Sequence, residues 1–374
     1  MHTNRLAQVI VGCAVLWSLA CAGGQAAPPA PAPPANAPPS GAAPASQAAP
    51  PAEAPPASVP VSNRLDAVRL GNTQGLAGAL QIAIGRGYFQ EQGIDLRQEQ
   101  FNSTTDIVPP LTTGQLDAGS TTPSASLFNA LARGIRLTMA LAGSEVAADS
   151  TGFPLVSRVG PDGPVIHDIA DLRGKRMGQA LRGVINEWAL DKVLQSAGMG
   201  VDDVEVVVMP FPDQVTALGS GHLDGAVFPE PFGTIAVQKN AAAYVMHADS
   251  YIPGGQVALM SFSDRFAHEQ PDLARRWAVA YLKGARDYMD AMENGRDREA
   301  VVALMAQAAH IDPRIVEKAG YFPVRRDGRV NAEGLQAMLD WLADRGYVPQ
   351  KPELAPLIDN QFADYAAGAV GSTQ

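Results

Sequence analysis

The feature that most constrains this chain is a short unit that recurs at an offset of 107 residues. Asp106-x-Val108-x-x-Leu111-x-x-Gly114-x-Leu116-Asp117 returns without a gap as Asp213-x-Val215-x-x-Leu218-x-x-Gly221-x-Leu223-Asp224. Each copy reads as an N-capping aspartate, a short helix, a glycine stop and a strand. Around the two copies, short apolar strands alternate with helices: strands are expected over 67–71, 94–97, 116–119 and 137–142, and again over 175–178, 204–209 and 225–228. That alternation predicts βαβ units and mainly parallel sheets, and its duplication predicts two similar α/β lobes. After residue 255 the texture changes to an apolar strand over 257–262, a long helix over 271–292 and further helices.

Composition removes several classes of function. The formal net charge is -10, with only 28 Lys and Arg among 374 residues, which leaves no electrostatic footprint for nucleic acid. The two cysteines, Cys13 and Cys21, both precede the body, so the body has no disulfide, no thiolate nucleophile and no cysteine metal site. The six histidines show no metal-ligand spacing, and neither a phosphate loop nor a serine nucleophile elbow is present. No catalytic residue, metal or cofactor is expected.

The N-terminus reads as an export signal. Arg5 is followed by an apolar run over 6–20, too short to span a membrane. The run ends in Ser18-Leu19-Ala20-Cys21, which resembles a bacterial lipobox whose cysteine is lipidated and becomes the new N-terminus. Ser18 departs from the leucine usual at its position, and a plain secretory signal cleaved near Ala27 is the alternative. Beyond it, 13 of the 30 prolines fall within residues 22–60, so this Ala/Pro-rich stretch is expected to be an extended tether rather than part of a core.

Six motifs, in order, carry a family resemblance. They are Gly87-Tyr88-Phe89-x-x-x-Gly93-Ile94-Asp95-Leu96, Leu111-x-x-Gly114-x-Leu116-Asp117-Ala118-Gly119, Asp171-Leu172-Arg173-Gly174-Lys175-Arg176, Ala217-Leu218-x-x-Gly221-x-Leu223-Asp224-Gly225, Glu230-Pro231-Phe232 and Gln270-Pro271-Asp272. Over roughly 68–288 the chain resembles the nitrate/sulfonate/taurine class of ABC-importer binding proteins, which also includes pyrimidine-precursor and riboflavin binders. The resemblance implies an α/β type II periplasmic-binding-protein fold, two doubly wound lobes joined by a two-strand hinge near 154–157 and 257–260. The implied organisation is a signal at 1–21, a tether at 22–63, lobe one at 64–157 and 255–374 with C-terminal helices, and lobe two at 158–254. It also implies a monomer outside the cytoplasmic membrane, lipid-anchored, that holds a small molecule and docks on the transmembrane subunits of an ABC permease. Biosynthetic enzymes related to the THI5 pyrimidine synthases share the architecture, but the cysteine-free body argues against their chemistry.

Ligands of open α/β sheets gather at the carboxyl ends of strands, beside helix N-termini. That rule selects Asn72, Thr73 and Gln74 after the first strand, and Phe101, Asn102, Ser103 and Thr104 after the second. It also selects Ser120, Thr121 and Thr122 after the third, and Gln179, Arg182, Phe228 and Glu230 in lobe two. The hydroxyls and Arg182 suit an oxyanion, the phenylalanines suit a flat ring, and Glu230 suits an amine.

Overall fold

The apolar residues of the alternating segments are buried as their pattern requires, with Val68, Leu70, Ala118 and Met177 fully inaccessible. In the computed structural model, residues 65–73, 78–101 and 103–371 are described; the export segment with Cys21, the tether, Gln74 and Asn102 lie outside them. Eleven strands are seen among the described residues: β1 (Asp66–Thr73), β2 (Ile94–Phe101), β3 (Ala118–Thr121), β4 (Thr138–Ala142), β5 (Pro154–Gly160), β6 (Gly163–Pro164), β7 (Arg176–Gln179), β8 (Glu205–Val208), β9 (Gly225–Val227), β10 (Ala242–His247) and β11 (Leu259–Phe262). They form two sheets, β2-β1-β3-β11-β4 and β10-β5-β9-β7-β8, with β6 hairpinned onto β5. In each sheet the first three strands of the lobe are parallel, and the inner strand that crosses in from the other half of the chain is antiparallel.

The 107-residue repeat is carried through in three dimensions. Helix Thr104–Thr112 corresponds to helix Phe211–Gly219, and the β1–β3 pairs Leu70↔Ala118 and Gly71↔Gly119 correspond to the β7–β9 pairs Met177↔Gly225 and Gly178↔Ala226. Neither aspartate of the repeat is a cap. Ser103 caps the first helix, Pro210 precedes the second, and Asp106 and Asp213 sit one turn inside, where a carboxylate favours the positive end of the helix.

Asp117 and Asp224 close the repeat. Asp117 accepts from the Arg69 backbone N–H (2.9 Å), Nε (3.0 Å) and Nη2 (2.8 Å), and Arg69 Nη2 also reaches the Gly114 carbonyl (2.7 Å). Asp224 accepts from the same three groups of Arg176 (3.1, 3.0 and 2.8 Å), whose Nη2 reaches the Gly221 carbonyl (2.8 Å). A second arginine completes each set, Arg265 on Asp117 (2.8 Å) and Arg158 on Asp224 (3.3 Å).

The crossing differs from the expected hinge in its first strand, while Val257 and Ala258 of the expected second strand do take part in it. Residues 154–157 belong to β5, whose backbone groups are satisfied inside the second sheet by β9 and β10. The two crossing segments pair earlier, through Gly143 N to Ala258 O (2.9 Å), Val146 N to Gly255 O (2.8 Å) and Val257 N to Ser144 O (2.8 Å). Farther along, fully buried Asp249 on the return segment accepts from Ser150 Oγ (2.7 Å), Gly152 N (3.0 Å) and Phe153 N (2.8 Å). Burial pushes its carboxyl upward while these donors oppose the shift.

The long helix Pro271–Asn294 covers the first sheet with Trp277 and Tyr281. Helix Ala332–Asp344 contributes Leu335, Met338, Trp341 and Leu342 to an apolar cluster shared with Leu127 of lobe one and Trp188 of lobe two. No helix among the described residues is long and apolar enough to cross a membrane.

Replacing Asp117 by Asn strips two guanidinium groups of their partner, and a loss of about 2–4 kcal/mol is expected in urea unfolding. Asp224 gives a pH signature. Hydrogen bonds from Arg176 hold its carboxyl at about 2, below the ordinary 3.8. Its stabilisation is therefore complete above about pH 4 and is lost as pH falls towards 2. Unfolding midpoints across that window should fall more steeply for the native chain than for Asp224→Asn.

Candidate functional site

A cavity of about 60 Å³ lies beside the crossing segments and takes residues from both lobes. Lobe one contributes Ser120 of β3 and Gly78, Ala79 and Leu80 of helix Gly78–Gly85; lobe two contributes Glu230. The crossing segments add Gly143, Ser144 and Ala258. The rest of the wall comes from the C-terminal part: Tyr281, Tyr288, Tyr321 and Phe322, with Met260 from β11 and Met292 and Met305 between them.

The polar groups of this wall are individually placed. Ser120 is 6% exposed, and its hydroxyl has no hydrogen-bond partner among the described residues. Tyr281 donates to the Ala142 carbonyl (2.9 Å) and Tyr288 to the Phe322 carbonyl (3.1 Å). Burial pushes both phenols upward, so they remain protonated donors. Glu230 is 9% exposed and accepts from Thr234 N (3.0 Å), Thr234 Oγ1 (2.9 Å) and Tyr244 OH (3.3 Å). Burial raises its carboxyl, against the opposing pull of these donors and the Gly320 N–H.

The other expected residues lie elsewhere. Asn72 is buried at the end of β1, where its Oδ1 accepts from Thr73 N (2.9 Å). Phe101 packs against the apolar cluster between the lobes, and Ser103 caps the helix that Thr104 begins. Thr121 is fully buried and bonded to Ser261 Oγ (2.7 Å), while Thr122 is half-buried in the turn after β3. Gln179 is fully buried and accepts from Asn186, its own amide nitrogen lacking a partner among the described residues. Phe228 is fully buried in a cluster with Phe211 and Phe232, at centroid distances of 6.1 and 6.4 Å, so its ring is core rather than a platform for a ligand.

Arg182 is engaged. It pairs with Glu187 at 2.7 Å and donates to Tyr347 OH from Nε (3.0 Å) and Nη2 (2.8 Å). The Glu187 side chain is wholly buried and also accepts from Gly183 N (2.6 Å) and Tyr347 OH (2.9 Å). This cluster lies at the seam, where Ala125 N of lobe one donates to Gly183 O of lobe two (2.9 Å) and Asn129 Nδ2 to Tyr347 O (2.8 Å). The guanidinium neutralises a buried acid instead of waiting for an anion.

The aromatic wall escaped the strand-end rule because it comes from helices and the segment 319–324. One signal was available: Tyr281 and Tyr288 are seven residues apart on the long helix, hence on one face.

Comparison with known proteins gives a consistent setting. The family model described as "NMT1/THI5 like" matches residues 77–294, more than half of the chain. A protein of Brucella abortus described only as a binding protein is 27% identical over 302 residues, covering 76% of this chain and 86% of its own. The periplasmic aliphatic sulphonate binding protein SsuA of Escherichia coli superposes with a TM-score of 0.64 at 17% identity, over 79% of this chain and 92% of its own. The desulfurization enzyme DSZB superposes with a TM-score of 0.60 at 18% identity, over 82% and 100%. The fold is that of the type II periplasmic binding proteins, and it carries both binding and catalysis.

If Arg182 is a structural partner, Arg182→Ala should cost about 2–3 kcal/mol by stranding Glu187. The double variant Arg182→Ala/Glu187→Gln should recover most of that loss. Thermal or urea unfolding of the three variants measures both; an unchanged stability in Arg182→Ala would return the residue to the ligand.

Proposed function

The chain belongs to the NMT1/THI5-like family, and on that premise we propose that it is the exported solute-binding component of an ABC importer. It closes on a small molecule between its lobes and presents the closed form to the permease. The observation that carries this reading is the cavity itself, walled by Ser120 of one lobe, Glu230 of the other and both crossing segments. A molecule seated there touches every part that moves when lobes open about a hinge, which is what ties closure to ligand.

Catalysis on the same fold is the competing reading, given the DSZB superposition. The cysteine-free body argues against a thiolate mechanism. Two ligand chemistries remain in view. The hydroxyls suit an oxyanion of the sulfonate, taurine or nitrate kind. The Tyr, Phe and Met wall suits a flat ring such as a pyrimidine precursor or a flavin.

A thermal-shift screen of the full chain across alkanesulfonates, taurine, nitrate, pyrimidines and riboflavin tests the reading. At a hundredfold excess over Kd the true ligand adds about 2.7 kcal/mol, a rise of several degrees in Tm, with the ligand recovered unchanged after prolonged incubation. Steady consumption of that ligand would make the protein an enzyme.

We further propose that Cys21 carries a lipid, so that residues 22–63 hold a monomeric body outside the cytoplasmic membrane. Cells fed labelled palmitate should label the native chain and leave Cys21→Ala unlabelled; label in neither would favour the plainly cleaved signal.

A further inference from the structure

Two sets of contacts join the lobes beyond the crossing, and they differ in what it costs to part them. The first is the seam around Tyr347. Its hydroxyl is bonded to Arg182 and to wholly buried Glu187 of lobe two, and its carbonyl accepts from Asn129 of lobe one (2.8 Å). Beside it Ala125 N donates to Gly183 O (2.9 Å), and Ser124 and Val184 form an antiparallel bridge. A Cβ at Gly183 would stand 2.7 Å from Ala125 Cβ, so the two lobes are in direct contact there. Parting them would take a partner from a buried carboxylate and expose the apolar cluster of Leu127, Trp188 and Trp341.

The second set is slighter. Residues 319–324 form a strap after helix Pro313–Lys318, held to lobe one by Tyr288 OH on the Phe322 carbonyl (3.1 Å) and by Val324 in the apolar cluster of Tyr281. Its other face meets lobe two. Gly320 lies on Thr151, where a Cβ would stand 1.9 Å from the carbonyl oxygen, and its N–H turns to Glu230. The Phe322 ring covers Gly152 and meets Phe153 edge-on at 4.6 Å. Gly152 and Phe153 belong with lobe two, because Glu230 N donates to Gly152 O (2.9 Å) and Asp249 accepts from both backbone N–H groups. Parting the strap takes one uncharged donor from Glu230, which keeps Thr234 and Tyr244, and separates one ring pair. The cavity is bordered by Ala319, Gly320, Tyr321 and Phe322 of the strap and by none of the seam residues. At about 60 Å³ it is far smaller than the pockets of about 300 Å³ upward that enclose small molecules, so a ligand needs a moving wall.

We propose that residues 319–324 are the gate of the cavity: the lobes open by lifting this strap off Thr151, Gly152 and Glu230, while the Tyr347 seam stays closed and serves as the pivot. The inference goes beyond the solute-binding reading, because an enzyme on this fold would need the same entrance.

Spin-label distances in the full chain test it, with Cys13→Ser and Cys21→Ser so that only introduced cysteines react. One pair, Lys318→Cys with Lys239→Cys, spans the strap and lobe two; the other, Ser126→Cys with Leu181→Cys, flanks the seam, and all four sites are exposed. Gly152→Ala drives a methyl group into the Phe322 ring, and Phe322→Ala removes the ring. In each variant the strap pair should gain a population several ångströms longer while the seam pair keeps its native distance. A general loosening of the fold would move both pairs. Lengthening at the seam, or an unchanged strap pair in both variants, overturns the proposal. If Gly152→Ala does not fold, Phe322→Ala decides alone; if neither folds, a native strap pair no broader in its distances than the seam pair overturns it. Turnover of a bound ligand would sink the solute-binding reading and leave the gate standing.

Discussion

Two carboxylates hold the lobes in register. β3 meets β1, and β9 meets β7, through only two residue pairs each, and the rest of each ladder is on the crossing strand. Asp117 and Asp224 reinforce that short join by binding the first strand's arginine through its backbone and its side chain together. The second arginine comes from, or directly after, the strand that crosses in from the other half of the chain. Each aspartate thus joins the first, third and crossing strands of its sheet at one point. The geometry is planar and bidentate, which lysine could not reproduce. Ser120 lies within the third strand of one lobe and Glu230 three residues beyond that of the other.

The lobes themselves are not free bodies on a string. The crossing segments pair with each other, and helix Ala332–Asp344 is tied to them at its start. Asn331 caps that helix through Gly334 N (3.0 Å) while its amide donates to Gly254 O (3.1 Å). A Cβ at Gly334 would stand 1.8 Å from that carbonyl, so the helix lies directly on the crossing. Its far end reaches lobe two, where Trp341 Nε1 donates to buried Asp191 (2.7 Å). Opening must therefore turn this helix with the crossing or part it from one lobe. The apolar cluster shared by both lobes and the helix makes the second course costly.

The α/β class, the two lobes and most of the strands were legible because a 107-residue echo and period-two apolar patterns depend on local sequence. The echo in fact runs further upstream than the motif read from it: Arg69-x-Gly71 and Arg176-x-Gly178 stand at the same offset. A Cβ at either glycine would come within 2.5 or 2.8 Å of Leu116 or Leu223, which explains why those glycines recur. Only the first crossing strand was misplaced, because β5 reads as an apolar strand whichever sheet receives it and only its partners, β9 and β10, decide; the second, expected at 257–260, does include the pairing residues Val257 and Ala258. The site was half legible. Ser120 and Glu230 follow from the strand-end rule, but hydroxyls and arginines at such ends are also the residues that cap helices and neutralise buried acids, and Ser103, Thr121 and Arg182 do that work.

The division of labour inside the wall has a consequence for how such a protein specialises. The duplicated half supplies the frame and the two polar points. The unduplicated C-terminal part supplies the rings and thioethers that set the shape and polarity of the space between them. Substitution at Tyr281, Tyr288, Tyr321 or Phe322 can reshape the cavity while the β-sheet registers stay as they are, because none of these residues takes part in a lock. Fold similarity to a sulfonate binder at 17% identity is a likeness of the frame, and the frame does not choose the ligand. The choice falls to the wall, whose rings and thioethers come from outside the duplicated half.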